Sequence, residues 1–155
     1  MKLRIVALGH RMPAWVDAGF DDYARRMPRD LPLELIALKP EARSEGKPVA
    51  ALLAAEARRI GAACKDSRVI ALDEHGRAWT TRELAAQLAQ WRSDACDVTF
   101  VIGSADGLDD SVKRGAAQTV ALSTLTLPHG LVRVMVAEQL YRAASMLLGH
   151  PYHRD

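Results

Sequence analysis

Cysteine is scarce in this chain: Cys64 and Cys96 are the only two among 155 residues. They lie far apart and form no C-x-x-C pair, which excludes a disulfide framework and a cysteine zinc site and fits two ordinary thiols in a reducing compartment. Aromatic residues are also sparse, at 5%. No apolar run approaches the roughly 18 residues needed to span a bilayer, and Met1-Lys2-Leu3-Arg4 leads into no signal-peptide core, so a cytoplasmic protein without a membrane partner is expected. Neither charge dominates, with 21 Lys and Arg against 19 Asp and Glu. A net charge of +2 permits a nucleic-acid partner without demanding one. Two phosphate-binding signatures are missing as well, the Walker cradle and the G-x-G-x-x-G fingerprint.

What is present is a globular composition, 49% hydrophobic and 26% charged. The length fits a single domain over residues 1–155, large enough to bury roughly 68–70% of its unfolded surface. Short, continuously apolar runs alternate with amphipathic segments. Leu3–Leu8, Leu33–Leu38, Arg68–Leu72, Val98–Ile102 and Thr119–Leu122 read as strands. Ala14–Met27, 48–63, Thr80–Trp91, Asp109–Ala117 and Leu131–Leu148 read as helices, and Lys39–Lys47 as an exposed loop. Strands apolar on both faces that alternate with helices predict an α/β fold: a parallel sheet with helices on both faces.

Ligands of such sheets bind at the carboxyl ends of the strands. Three loops open there: Asp73-Glu74-His75-Gly76, Gly103-Ser104-Ala105-Asp106-Gly107, and Leu122-Ser123-Thr124-Leu125-Thr126-Leu127-Pro128-His129-Gly130. The third is unusually apolar for a loop. Together they suit a partly apolar ligand contacted by backbone amides and carbonyls. The last helix is apolar nearly all round, from Leu131 through Leu148, which predicts that part of it is buried against the same helix of a second copy in a twofold homodimer. Glu138 and Arg142, four apart on it, are spaced for an ion pair. Basic residues gather near both ends of the chain, where they would form one surface if the ends meet.

Four stretches carry a family resemblance: Leu122 to His129, Leu131-Val-Arg-Val, Ala137-Glu-Gln-Leu-Tyr-Arg-Ala143 and the ending His150-Pro-Tyr-His-Arg-Asp155. With Arg11-Met-Pro-x-Trp15 and Gly19-Phe-x-x-Tyr23, they make the whole chain resemble the SPOUT-class large-subunit ribosomal RNA methyltransferases of the H type. That resemblance implies a SPOUT-type parallel sheet with a carboxyl-terminal trefoil knot, an exception to the rule against knotted chains. It implies methylation of N3 of a pseudouridine in bacterial 23S rRNA, on the ribosome, with S-adenosyl-L-methionine as cofactor and no metal. By the same analogy the cofactor is held by Leu72, Gly103, Leu122, Ser123, Thr124, Leu125, Thr126 and Leu127. Arg142, Tyr152 and His153, with His129 as a further candidate, have the chemistry to deprotonate N3 or to stabilise its anion. His10, Arg133 and Arg154 are the expected RNA contacts. Where the family often carries Gly-Gly-Pro-Glu-Gly, this chain has Gly103-Ser104-Ala105-Asp106-Gly107, which matters if the second position needs positive φ. Two other readings stay open: a SPOUT enzyme acting on transfer RNA, and a catalytically silent nucleotide-binding or ribosome-associated module.

Overall fold

A computed structural model describes residues 1–152. Its elements run β1 (Leu3–Leu8), α1 (Ala14–Arg26), β2 (Leu33–Leu38), α2 (Val49–Ala63), β3 (Arg68–Ala78), α3 (Thr81–Ser93), β4 (Val98–Ile102), α4 (Asp110–Gly115), β5 (Gln118–Ala121) and α5 (His129–Leu147). The strands form one parallel sheet in the order β2-β1-β4-β3-β5. Central β4 is buried along its whole length and β1 nearly so, which is why both read as continuous apolar runs.

Two cores flank the sheet. On one face Leu3, Ile5, Phe100 and Ile102 pack under Phe20 of α1, Leu88 and Trp91 of α3, and Val136, Leu140 and Ala144 of α5. On the other, Val6, Leu8, Ala71 and Val101 meet Ile60 and Cys64 at the end of α2, with Leu108 ahead of α4. Three helices start directly after a proline, α1 at Pro13, α2 at Pro48 and α5 at Pro128. Proline suits such starts because it has no N–H to leave unpaired and a preset φ. In α3 a capping box does this work: the Thr80 hydroxyl accepts from the Glu83 amide while the Glu83 carboxylate accepts from the Thr80 amide.

One element departs from the sequence reading. β3 continues past Leu72 to Ala78, where a loop was expected at residues 73–76. The cause is pairing with β5: Val120 is the partner of both Leu72 and Arg77, and Ala121 pairs with Ala78. Residues 73–76 therefore form a bulge between two segments of β3 that both pair with β5. Gly76 lets that bulge lie close on β5, since a Cβ there would lie 2.6 Å from the Val120 backbone. Local periodicity carries no trace of this long-range pairing.

Candidate active site

The three loops singled out from the sequence do open at one edge of the sheet, around a cavity of about 510 Å³. Leu72, Leu122, Leu125 and Leu127 supply its apolar wall, and Gly103 and Gly107 its backbone floor. The charged side chains lining it are Asp73, Glu74 and Asp106, with no lysine or arginine among them. Of the eight positions expected to hold a cofactor, seven line this cavity; Thr124 does not and is exposed. The loop from Ser123 is braced by its own chain, the Leu125 amide donating to the Ser123 hydroxyl at 2.9 Å. Gly103 is confined by the turn that follows it: a Cβ would sit 2.4 Å from the Gly107 carbonyl oxygen. Ser104 has no positive φ, so a side chain is accommodated there without strain.

His129, the first residue of α5, closes the cavity from below, and its tautomer follows from its partners. Nε2 lies 3.0 Å from an Arg133 guanidinium nitrogen, which can only donate, so Nε2 accepts and the ring proton sits on Nδ1. The imidazole in turn hydrogen-bonds the backbone of Gly103. Burial, with the positive charge of Arg133 adding to it, depresses the His129 pKa from 6.5 to about 4. The ring is therefore neutral at physiological pH, and both its nitrogens are engaged. That removes His129 as a base for the reaction.

Arg133 corrects a second expectation. It was assigned to the RNA surface, but its side chain is 1% exposed, and the guanidinium donates to the Gly9 carbonyl and to His129. Its Nε has no partner, and the desolvated charge has its pKa lowered from the ordinary arginine value. Arg133 thus ties the end of β1 to the start of α5 from inside the protein. His10, next to Gly9 in sequence, is exposed.

The other expected catalytic groups lie at the opposite end of α5. Arg142 donates to Glu138 at 2.8 Å, the ion pair foreseen from their spacing, and its guanidinium stands over the Tyr152 ring at 4.9 Å. The Tyr152 hydroxyl donates to the same Glu138 oxygen at 3.1 Å, and its ring meets Tyr141 edge-on at 4.6 Å. Burial, then hydrogen bonds to Tyr23 and Glu138, push the Tyr152 phenol above its usual pKa, so it stays protonated. His153 and Arg154 lie outside the described residues. Thirteen residues of helix separate Arg142 from His129, about 20 Å along the axis. Within one chain the tail cluster and the cavity are apart.

The family model described as "Predicted SPOUT methyltransferase" matches residues 1–153. The chain belongs to the SPOUT methyltransferase family. Among its relatives are proteins named "Ribosomal RNA large subunit methyltransferase H" from Burkholderia thailandensis, 56% identical, and Paraburkholderia xenovorans, 54% identical, each alignment covering 99% of both chains. Two solved structures share the fold at low identity. A "putative methylase family protein" from Neisseria gonorrhoeae has a TM-score of 0.56 at 14% identity, covering 90% of this chain and 81% of its own. A "putative RNA methyltransferase" from Bacillus anthracis has a TM-score of 0.55 at 14% identity, covering 97% and 96%. Among the described residues, no cluster of three His, Cys, Asp or Glu could hold a metal ion, and no helix is long and apolar enough to cross a membrane.

Two residues that contact the cavity loop escaped sequence reading, Arg43 and Glu56, both bonded to Ser104. Glu56 occupies the buried stripe of α2 between Leu52 and Ile60, one turn from each. A carboxylate at a core position was the available signal, because a buried charge needs a dedicated partner.

Proposed function

We propose that this protein is an S-adenosyl-L-methionine-dependent methyltransferase acting on N3 of a pseudouridine in 23S ribosomal RNA, in the bacterial cytoplasm. The observation that carries the cofactor assignment is the cavity's lining: aliphatic walls, a backbone floor, and the carboxylates of Glu74, of Asp73 paired with Lys113, and of Asp106 paired with Arg43. S-adenosyl-L-methionine is partly apolar and bears a sulfonium and an ammonium, so those donors and charges fit it. A neutral His129 adds no opposing charge. When bound, the cofactor supplies an electrophilic methyl group. The RNA assignment is supported by relatives of 56% and 54% identity whose names specify large-subunit ribosomal RNA.

This chain's residues supply binding and orientation. Leu72, Leu122, Leu125 and Leu127 would enclose the apolar parts of the cofactor, with Gly103, Ser123 and Thr126 at its polar edges. The imide proton of N3 must leave, to water, for the nitrogen to attack. Arg142 is suited to stabilise the resulting anion, with Glu138 and the Tyr152 ring holding its guanidinium in place. Because Arg142 lies about 15 Å along α5 from Val132, the cavity-lining residue of that helix nearest to it, the reading includes a homodimer in which one copy's tail completes the other's site. Leu148, 54% exposed, and Trp15, 55% exposed, leave apolar surface beside α5 and α1 for that contact. The reading also includes the trefoil knot, supported by the match of the SPOUT family model to residues 1–153.

Mass spectrometry of 23S rRNA from cells lacking the protein tests the whole reading. Loss of one methyl on a pseudouridine is expected, with restoration by purified protein, cofactor and ribosomes. An unchanged modification pattern would refute it.

A further inference from the structure

We propose that Arg43 and Glu56 are positioning residues for the cofactor, forming with Ser104 a clasp that holds the loop Gly103 to Gly107 in its receiving shape. The inference rests on the cofactor reading given above. Glu56 is 2% exposed, and each of its carboxylate oxygens is spoken for. Oε1 accepts from the Glu41 amide at 2.8 Å and from the Arg43 guanidinium at 2.5 Å; Oε2 accepts from the Ser104 hydroxyl at 2.9 Å. Burial alone would raise the Glu56 pKa, but the hydrogen bonds from Arg43, Glu41 and Ser104 outweigh it and hold the carboxylate ionised.

Arg43 closes the ring. Its guanidinium donates to the Ser104 hydroxyl at 2.7 Å, to Asp106 at 3.0 Å and to the Glu41 carbonyl at 2.7 Å, besides Glu56. One planar cation therefore joins the segment before α2, α2 itself and two residues of the cavity loop. A lysine cannot do this, because the fork of donors is what reaches all four acceptors. At its start the loop is also held by His129 on the Gly103 backbone. Between Gly103 and Gly107 the internal tie is one turn, the Gly107 amide donating to the Ser104 carbonyl at 2.9 Å. Its two glycines leave the backbone free to adopt other shapes. The Ser104 hydroxyl, donating to Glu56 and accepting from Arg43, anchors the turn to a buried charge. A glycine at that position could not do so.

The test measures binding of S-adenosylhomocysteine by calorimetry in the full-length protein and its Arg43→Lys and Ser104→Ala variants. Thermal unfolding and amide exchange of residues 104–108 are measured without ligand. Both substitutions keep the charge balance around Glu56, so the fold should hold. The expected result is a Kd about tenfold weaker in each, the weight of one charge-assisted hydrogen bond, with faster loop exchange and little change in melting temperature. In methylation assays the loss should fall on KM for the cofactor, with kcat the smaller change. Wild-type affinity in both variants overturns the clasp. If the wild-type protein itself fails to bind, the cofactor reading falls; the clasp then stands or falls on amide exchange, and unchanged exchange rejects it.

Discussion

Acidification should reveal the state of His129. Its folded pKa is about 4 against 6.5 for a free imidazole. A depressed histidine pKa means that the unfolded chain takes up the proton first. Its contribution to stability is thus complete above pH 6.5, is lost as pH falls toward 4, and levels off below. Within that window the slope approaches 1.4 kcal/mol per pH unit, and the whole window gives about 3 kcal/mol as an upper limit. The ring borders an open cavity, so solvent screening lowers the expected figure to about 2 kcal/mol. The assay is urea unfolding from pH 4 to 7.5 for the wild type and a His129→Gln variant. Glutamine can still donate toward Gly103 and accept from Arg133, but it does not titrate. Carboxylates titrate in both proteins and cancel in the difference. Wild-type stability should therefore fall relative to the variant by about 2 kcal/mol between pH 7 and 4. Parallel curves would show that His129 is not held neutral, and the Arg133–His129–Gly103 chain would lose its support.

Three further outcomes are expected. Gly76→Ala places a Cβ 2.6 Å from the Val120 backbone, so denaturant unfolding should show a loss of about 3 kcal/mol or more, or no soluble protein at all. Arg142→Ala should leave S-adenosylhomocysteine affinity within about twofold while lowering methylation at least a hundredfold, the weight of one positioned charge; equal losses in binding would place Arg142 in the cofactor site instead. Burial raises the Cys64 thiol to about 11, so a disulfide reagent at pH 8 should label Cys96 promptly and Cys64 only as fast as the protein opens; equal rates in the native protein would contradict the packing of Cys64 under the sheet.

The sheet and its helices were legible because burial writes itself into local pattern. β1 and β4 are covered on both faces, so their residues are apolar without alternation, and Pro13, Pro48 and Pro128 mark helix starts by chemistry that needs no tertiary contact. The cavity loops were legible for a similar reason, since parallel strands send their carboxyl ends to one edge. What stayed hidden depends on partners distant in sequence. The bulge at Gly76 needs Val120, 44 residues away, and Arg133 reads as a surface cation until Gly9 is placed beside it, 124 residues earlier. Glu56 could have been suspected from its place between Leu52 and Ile60, but nothing local says that its partners are Arg43 and Ser104.

The division of α5 bears on how the site can be assembled. Its first turn, with His129 and Arg133, is locked to the cavity floor and to β1; its last turns, with Glu138 and Arg142, hold Tyr152. A straight helix of 19 residues cannot bring its own two ends together. Two copies related by a twofold axis across that helix can, because the operation sets the amino end of one beside the carboxyl end of the other. On the proposed function, a dimer would let one copy's tail complete the other's cavity. Mixing a cavity-blocked Gly103→Leu chain with an Arg142→Ala chain tests this directly. Each variant alone should be inactive, and the mixed dimer should regain one working site, about a quarter of wild-type activity if the subunits exchange at random in equal amounts. A mixture as inactive as its components would mean that cavity and tail serve each other within one chain, and that the separation along α5 is closed by some other movement.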